Sequence, residues 1–138
     1  MEATQIPSKL ERAFFKILKM AFHNDLGAKG ERIAQEYLIS KGYEIRAVNY
    51  RHRKAEIDII ALHENFLIVV EVKTRTAPTI VPLIQLVPPS KINHLIRAAN
   101  YYMNRHKVHK EARFDIVYIT MKAHSYDLEH LKDAFYHF

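Results

Sequence analysis

Residues 55–74, AEIDIIALHENFLIVVEVKT, set Glu56 and Asp58 in one strongly apolar run and Glu71 and Lys73 in the next. Strands alternate faces with period two, so Glu56 and Asp58 share one face, opposite Ile57, Ile59 and Ala61. Glu71 and Lys73 likewise share a face, opposite Val70 and Val72. If the runs form a hairpin with Asp58 opposite Glu71, Glu56 falls opposite Lys73 and four charged heads meet in one patch. A slip of one residue scatters them. Two carboxylates a few ångströms apart repel, and hard oxygen donors of this kind suit Mg²⁺ or Mn²⁺. A partly hydrated ion polarises a phosphoryl oxygen and generates hydroxide, while a nearby lysine orients the water or stabilises developing negative charge. These are the parts needed for phosphodiester hydrolysis. The same alternation also describes any strand with one solvated face, on which Glu and Lys are ordinary decoration.

The elements that must position these residues follow from periodicity and punctuation. Residues 1–24 carry Leu10, Phe14, Ile17, Leu18 and Phe22 at near-helical spacing among basic residues, which predicts a helical extension packed on the domain or frayed from it. A basic amphipathic helix of this kind also suits a membrane surface or a transit peptide. Residues 25–138 read as a single domain. Asn24 or Asp25 can cap a helix with Ile33, Ala34, Tyr37 and Leu38 on its buried stripe, ended by Gly42 and with Glu31 near its start. Three β-rich stretches follow, Tyr43 to Tyr50, Ala55 to Leu62 and Phe66 to Thr74, the last two joined by a turn at Glu64 and Asn65. Residues 77–90 read as a proline-punctuated loop ordered by its aliphatic side chains. A helix opened by Pro88, Pro89 and Ser90 carries Ile92, Leu95, Ile96, Ala99 and Met103 on one stripe. A strand over residues 113–120 and a closing amphipathic segment from Asp127, read as a helix, complete the order α-β-β-β-α-β-α. That order predicts an α/β sandwich around a mixed central sheet.

Composition narrows the partners. The 138 residues suffice for one domain with a core. There is no cysteine, which removes disulfides, thiolate metal sites and a cysteine nucleophile, and leaves a reducing cytoplasm as the expected location. A net charge of +6 favours a polyanion. No apolar run approaches the roughly 20 residues that span a bilayer, so no membrane partner is expected from insertion. Only three glycines are present, without a phosphate loop or dinucleotide fingerprint.

The stretch from Gly27 to Arg75, GAKGERIAQEYLISKGYEIRAVNYRHRKAEIDIIALHENFLIVVEVKTR, resembles the YraN-like family of the restriction-endonuclease-like, or PD-(D/E)XK, superfamily. The family pattern runs Gly-x-x-Gly-Glu, Tyr-Leu, Gly-Tyr, Asn-x-Arg, Gly-Glu-Ile-Asp and Glu-Val-Lys-x-Arg. The later PSKINHLIRAANYYM and RFDIVYI match its basic helix and following strand, so the similarity covers Leu26 to about Thr120. It implies a restriction-endonuclease-like α-β-β-β-α-β core and, through relation to archaeal Holliday-junction resolvases, a metal-dependent endonuclease acting on DNA. Branched DNA and a homodimer follow by the same analogy. The resemblance implies that Asp58, Glu71 and Glu31 hold Mg²⁺ or Mn²⁺ and that Lys73 is the catalytic lysine. Glu56 matches a neighbouring acid that supports the ligands without touching the ion. Gln85 and Lys91 fall where related nucleases place accessory polar groups. Ala55 departs from the pattern, which has glycine there, and this touches substrate fit more than metal binding.

Basic residues crowd the same stretches: Arg46, Arg51, His52, Arg53 and Lys54 before the patch, Arg75 after it, and Lys91 and Arg97 on the helix. Bordering one cleft, they would neutralise phosphates and make binding salt dependent. Arg51, Arg75 and Lys91 are the nucleic-acid-binding candidates, the first two because they match family positions. His94, His106 and His109 lack an accompanying acid and read as surface histidines rather than a zinc site. Two other functions fit the residues less fully: a non-catalytic nucleic-acid-binding protein on the same fold, and a scaffold whose acids merely tie the sheet.

Overall fold

A computed structural model describes residues 8–78 and 87–135, with residues 19–23 described in backbone only. The reading of residues 77–90 as a loop therefore lies largely outside the described residues. Among the described residues, two helices and five strands run in the order α1 (Lys9–Ser40), β1 (Glu44–His52), β2 (Ala55–His63), β3 (Phe66–Thr76), α2 (Pro89–Arg105), β4 (Glu111–Met121) and β5 (Tyr126–Leu131). The strands form one mixed sheet in the order β1-β2-β3-β4-β5, with β3 and β4 parallel and every other neighbouring pair antiparallel. The α-β-β-β-α-β core is present. No helix among the described residues is long and apolar enough to cross a membrane.

Alternation along β3 builds the two cores. Leu67 and Val69 pack with Leu95, Ala98, Ala99 and Tyr102 of α2 and with Phe114. Ile68 and Val70 pack on the other face with Ala34 and Leu38 of α1 and with Val117 and Ile119 of β4. Leu95 is one of the predicted stripe, and Ile96 and Met103 join at its margin. Each fully buried aliphatic here contributes about 1.5–3 kcal/mol relative to exposure.

Two expected boundaries are overturned. Asn24 and Asp25 cap nothing; α1 runs unbroken for 32 residues from a capping box in which Ser8 and Glu11 satisfy each other's backbone N–H groups. No proline interrupts that stretch, so only modest propensity costs, largest at Gly27 and Gly30, oppose continuation. In its first turns Leu10, Phe14, Phe15, Ile17 and Leu18 are exposed. The closing segment is a strand, not a helix. Leu128 and His130 turn inward on alternate positions of β5, and antiparallel pairing satisfies the backbone groups along the edge of β4 that a helix, bonded only to itself, would leave open. The end of α1 is as expected: Gly42 at φ +86° closes a Schellman turn, with the Tyr43 N–H donating to the Leu38 carbonyl at 3.0 Å.

A buried polar network ties β4, β5 and α1 together at one margin of the sheet. Asp115, fully buried, accepts from Arg113 Nε at 2.9 Å and Nη2 at 2.8 Å, from the Asp133 N–H at 3.0 Å, and pairs with His130 Nε2 at 2.8 Å. Arg113 also donates to the Tyr43 hydroxyl at 2.9 Å, and the Tyr37 hydroxyl meets His130 Nδ1 at 3.0 Å. Burial alone would raise the Asp115 pKa; the His130 and Arg113 hydrogen bonds outweigh it and hold the carboxyl below its ordinary value.

Two measurements follow. Gly27 has open space where a Cβ would stand, whereas a Cβ on Gly30 would fall 1.8 Å from Thr74 Oγ1 and 2.8 Å from Thr74 Cβ. Thermal melts should show Gly27→Ala neutral or stabilised by about 0.5–1 kcal/mol, and Gly30→Ala destabilised by about 2 kcal/mol or more through overpacking. Asp115→Ala should cost about 3–5 kcal/mol at pH 7, because it strands a half-buried guanidinium and leaves a cavity among buried polar partners. A depressed folded-state pKa gives stability that is complete above the unfolded value of about 3.9 and lost as pH falls through the folded value. Denaturant titrations should therefore show the gap between wild type and Asp115→Asn narrowing below about pH 4.

Candidate metal centre and flanking basic cleft

The site forms where β2 parts from β3. Their ladder runs from His63↔Phe66 to Ile59↔Val70 and stops; one further step on the same count would set Asp58 against Glu71. There the Asp58 side chain replaces the missing backbone acceptor, its Oδ2 accepting the Val72 N–H at 2.8 Å. On the other flank the β1–β2 ladder passes from Val48↔Ile59 to Tyr50↔Ile57 without pairing Asp58 and Asn49, and Asn49 adopts φ +49°. Asparagine tolerates that left-handed conformation better than most residues.

This irregularity alters the expected faces. Ile59 and Ala61 belong to the α1 core, but Ile57 and Ala55 belong to the α2 core with Ile60, so the period-two alternation breaks at Asp58. Glu56 is consequently not opposite Lys73. It pairs in register with Arg51 on β1 and meets that side chain at 3.7 Å. The patch also lies inside the sheet rather than at its edge, since β2 and β3 are the second and third of five strands.

Glu71 is the most constrained group. Only 3% of it is exposed. Its Oε1 accepts from Lys91 Nζ at 2.5 Å and lies 3.5 Å from Lys73 Nζ. Its Oε2 is buried with no hydrogen-bond partner, a condition rare enough in folded proteins to call for an occupant. Burial and then the charge of Glu71 push Asp58 up to about 7, with a smaller push from Glu31; the Val72 N–H and Lys91 pull against them. Glu31, on α1, is raised by burial, lowered by a hydrogen bond with Asn49, and raised again by Glu56 and Glu71. Burial works to lower Lys91, but its bond to Glu71 and the charges of Glu71 and Asp58 leave it above its ordinary value. Glu31, Glu56, Asp58 and Lys91 line one open cleft of about 360 Å³, with Lys54, Ala55, His94 and Leu95.

The donor set fits a hard divalent cation in part. Asp58 and Glu71 offer carboxylate oxygens, one of them an orphan, in a place where negative charge is costly. Among the described residues no group of three or more Asp, Glu, His or Cys side chains closes on one point. An ion there would rest on Asp58 and Glu71 with water completing its shell, as Mg²⁺ commonly retains.

The structure thus brings Asp58, Glu71, Lys73, Lys91 and Glu31 together, with Glu56 at the rim. The two arginine candidates part ways, Arg51 standing at the rim and Arg75 away from the cleft. Arg51 is largely exposed beside Glu56, and Arg75 donates from Nε to Thr120 Oγ1 at 3.0 Å in a different cavity with Tyr118 and Asp127. Gln85 lies outside the described residues. Sequence reasoning missed two contacts. Lys91, placed as a DNA contact, bonds Glu71 directly, and Asn49 holds Glu31; the Asn-x-Arg spacing marked Asn49 but gave no sign of its partner.

Fold and site define a mixed-sheet α/β domain with an acidic and lysine-bearing cleft at a strand fork. The family model described as "Uncharacterised protein family UPF0102" matches residues 30–119. A UPF0102 protein of Flavobacterium johnsoniae is 47% identical, covering 86% of this chain and all of the relative. One of Christiangramia forsetii is 46% identical with the same coverage, and one of Bacteroides thetaiotaomicron is 40% identical over 85% of this chain and 97% of its own. The chain belongs to UPF0102, the YraN family.

A raised folded-state pKa means that charging Asp58 opposes folding: stability is greatest below the unfolded value of about 3.9 and declines as pH rises toward the folded value of about 7. Asp58→Asn keeps an acceptor for Val72 and removes the charge. In metal-free buffer it should stabilise the protein at pH 8 by roughly 1–3 kcal/mol, with little difference at pH 4, as read by urea titration.

Proposed function

We propose that the protein is a metal-dependent endonuclease that hydrolyses DNA phosphodiester bonds in the cytoplasm, with Mg²⁺ or Mn²⁺ held by Asp58 and Glu71 and supported by Glu31. The observation that carries this reading is the buried, unpartnered Oε2 of Glu71 beside an Asp58 that resists ionisation. When bound, such an ion polarises a phosphoryl oxygen and lowers the pKa of its water.

The chain's own groups have distinct tasks. Glu71 is fixed by Lys91 and cannot swing out of the sheet. Asp58 is fixed by the Val72 N–H, so its two oxygens are pre-aimed before any ligand arrives. Lys73, a quarter exposed and 3.5 Å from Glu71, supplies a cation for charge developing on the phosphate. Glu31 adds negative potential from the α1 side, which favours the cation and keeps the DNA backbone from occupying its place.

A second reading, a nucleic-acid-binding protein without catalysis, is favoured by two observations: the Lys91 ammonium already neutralises Glu71 at 2.5 Å, and no third metal-binding side chain joins the pair among the described residues.

Incubation with linear and branched DNA and Mg²⁺ or Mn²⁺ separates the two. Cleavage by wild type, reduced about 100-fold or more by Asp58→Ala and by Lys73→Ala, is expected. Cleavage untouched by both substitutions rejects the site, and salt-sensitive binding without any cutting selects the binding protein.

A further inference from the structure

A second cavity, of about 440 Å³, opens beside the acidic cleft. It is lined by His52, Arg53, Lys54 and Ala55 around the β1–β2 turn and by His94 and Arg97 of α2. Lys54, Ala55 and His94 line both spaces, so the two share a wall.

Their chemistry is opposite. The first cleft holds Glu31, Glu56 and Asp58; every ionisable group lining the second is basic. No carboxylate among the described residues pairs with Arg53, Lys54 or Arg97, whereas Arg51, two residues away, is already engaged with Glu56. Like charges gathered without a counter-ion repel and lower the cost of accepting an anion. Arg53 also sits at φ +55° in the turn, a conformation that glycine adopts more easily.

An aromatic surface adjoins the cavity. The His52 ring stacks on Tyr101 at 4.0 Å with an interplanar angle of 19°, and Tyr101 is 42% exposed. A flat ring at the margin of a cationic pocket is the combination that binds single-stranded nucleic acid, the cations on the backbone and the ring on a base.

We propose that this basic cavity holds the DNA phosphate next to the one in the acidic cleft, and that the Tyr101–His52 stack receives an unpaired base of that nucleotide. The substrate class is then DNA with an unpaired nucleotide flanking the cut, as in a single strand, a flap or a branch. What happens in the acidic cleft rests on the nuclease reading; binding in the basic cavity does not.

The test uses the full chain in metal-free buffer with labelled single-stranded DNA and its duplex, followed by fluorescence anisotropy across several salt concentrations. Arg97→Ala and the double variant Arg53→Ala with Lys54→Ala should each weaken binding about fivefold or more. Each lost phosphate contact should reduce the single-strand salt slope by about 0.7. Arg97→Lys should restore most of the loss. Tyr101→Ala should weaken single-strand binding about fivefold or more and duplex binding far less. Melting curves for each variant confirm that the fold persists. Unchanged affinity and slope in both cationic variants overturn the phosphate site, and equal losses on single strand and duplex for Tyr101→Ala overturn the base platform. A parallel incubation with Mg²⁺ or Mn²⁺ added keeps the two readings apart: wild type should cut, and Asp58→Asn should lose that cleavage while still binding DNA in the metal-free assay. A protein that binds as described yet never cuts sinks the nuclease reading alone, and Asp58-dependent cutting with binding indifferent to Arg97 sinks this one alone.

Discussion

The site depends on a buried carboxylate held where two strands separate. Glu71 is almost wholly removed from water, a position that costs several kcal/mol per unpaired ion, and Lys91 and Lys73 offset that cost from one side only. The other oxygen remains open. Asp58 faces the consequence: it lies near that charge, in a desolvated place, where the Val72 N–H and the more weakly acting Lys91 charge do not outweigh the forces against its ionised form. The sheet therefore stores an unmet demand for positive charge, and the rest of the fold keeps the demand from relaxing. Val69 and Val70 anchor β3 in the two cores on either side of it, and Gly30 lets α1 come close enough to Thr74 for Glu31 to add its charge.

A second buried carboxylate shows the contrast. Asp115 receives Arg113 through two nitrogens, His130 and a backbone N–H, and its pKa falls rather than rises. Both acids come from the same sheet and both are buried. One is fully partnered and ties β4, β5 and α1 together. The other pair is under-partnered and opens to a cleft. This difference in satisfaction, more than burial or charge, separates a structural carboxylate from a candidate ligand.

Much of this was legible in the residues. The hairpin, its turn at Glu64 and Asn65, the stripe on α2 and the Gly42 helix end follow from period and punctuation, and the order of elements was enough for a mixed α/β sandwich. The proximity of Asp58 to Glu71 was also legible, because one register brings them together. What the pattern concealed depends on tertiary context. Period two assigns Ile57 and Ile59 to one face, but the kink at Asn49 and Asp58 sends them to different cores. Residues 126–131 suit a helix or an edge strand alike, and only the open edge of β4 decides. A lysine on a basic helix gives no sign that it will reach across to Glu71, nor does the Arg53–Lys54 turn announce that it will face Arg97.

The central claim is that the oxygens of Asp58 and Glu71 need a divalent cation. Isothermal titration calorimetry of Mg²⁺ and Mn²⁺ into the metal-free protein at pH 8 examines it without any substrate. Saturable uptake of one ion per chain, lost in Asp58→Asn and in Glu71→Gln, is the predicted result. An absence of uptake by wild type, with DNA present or absent, or uptake that neither substitution disturbs, would contradict it.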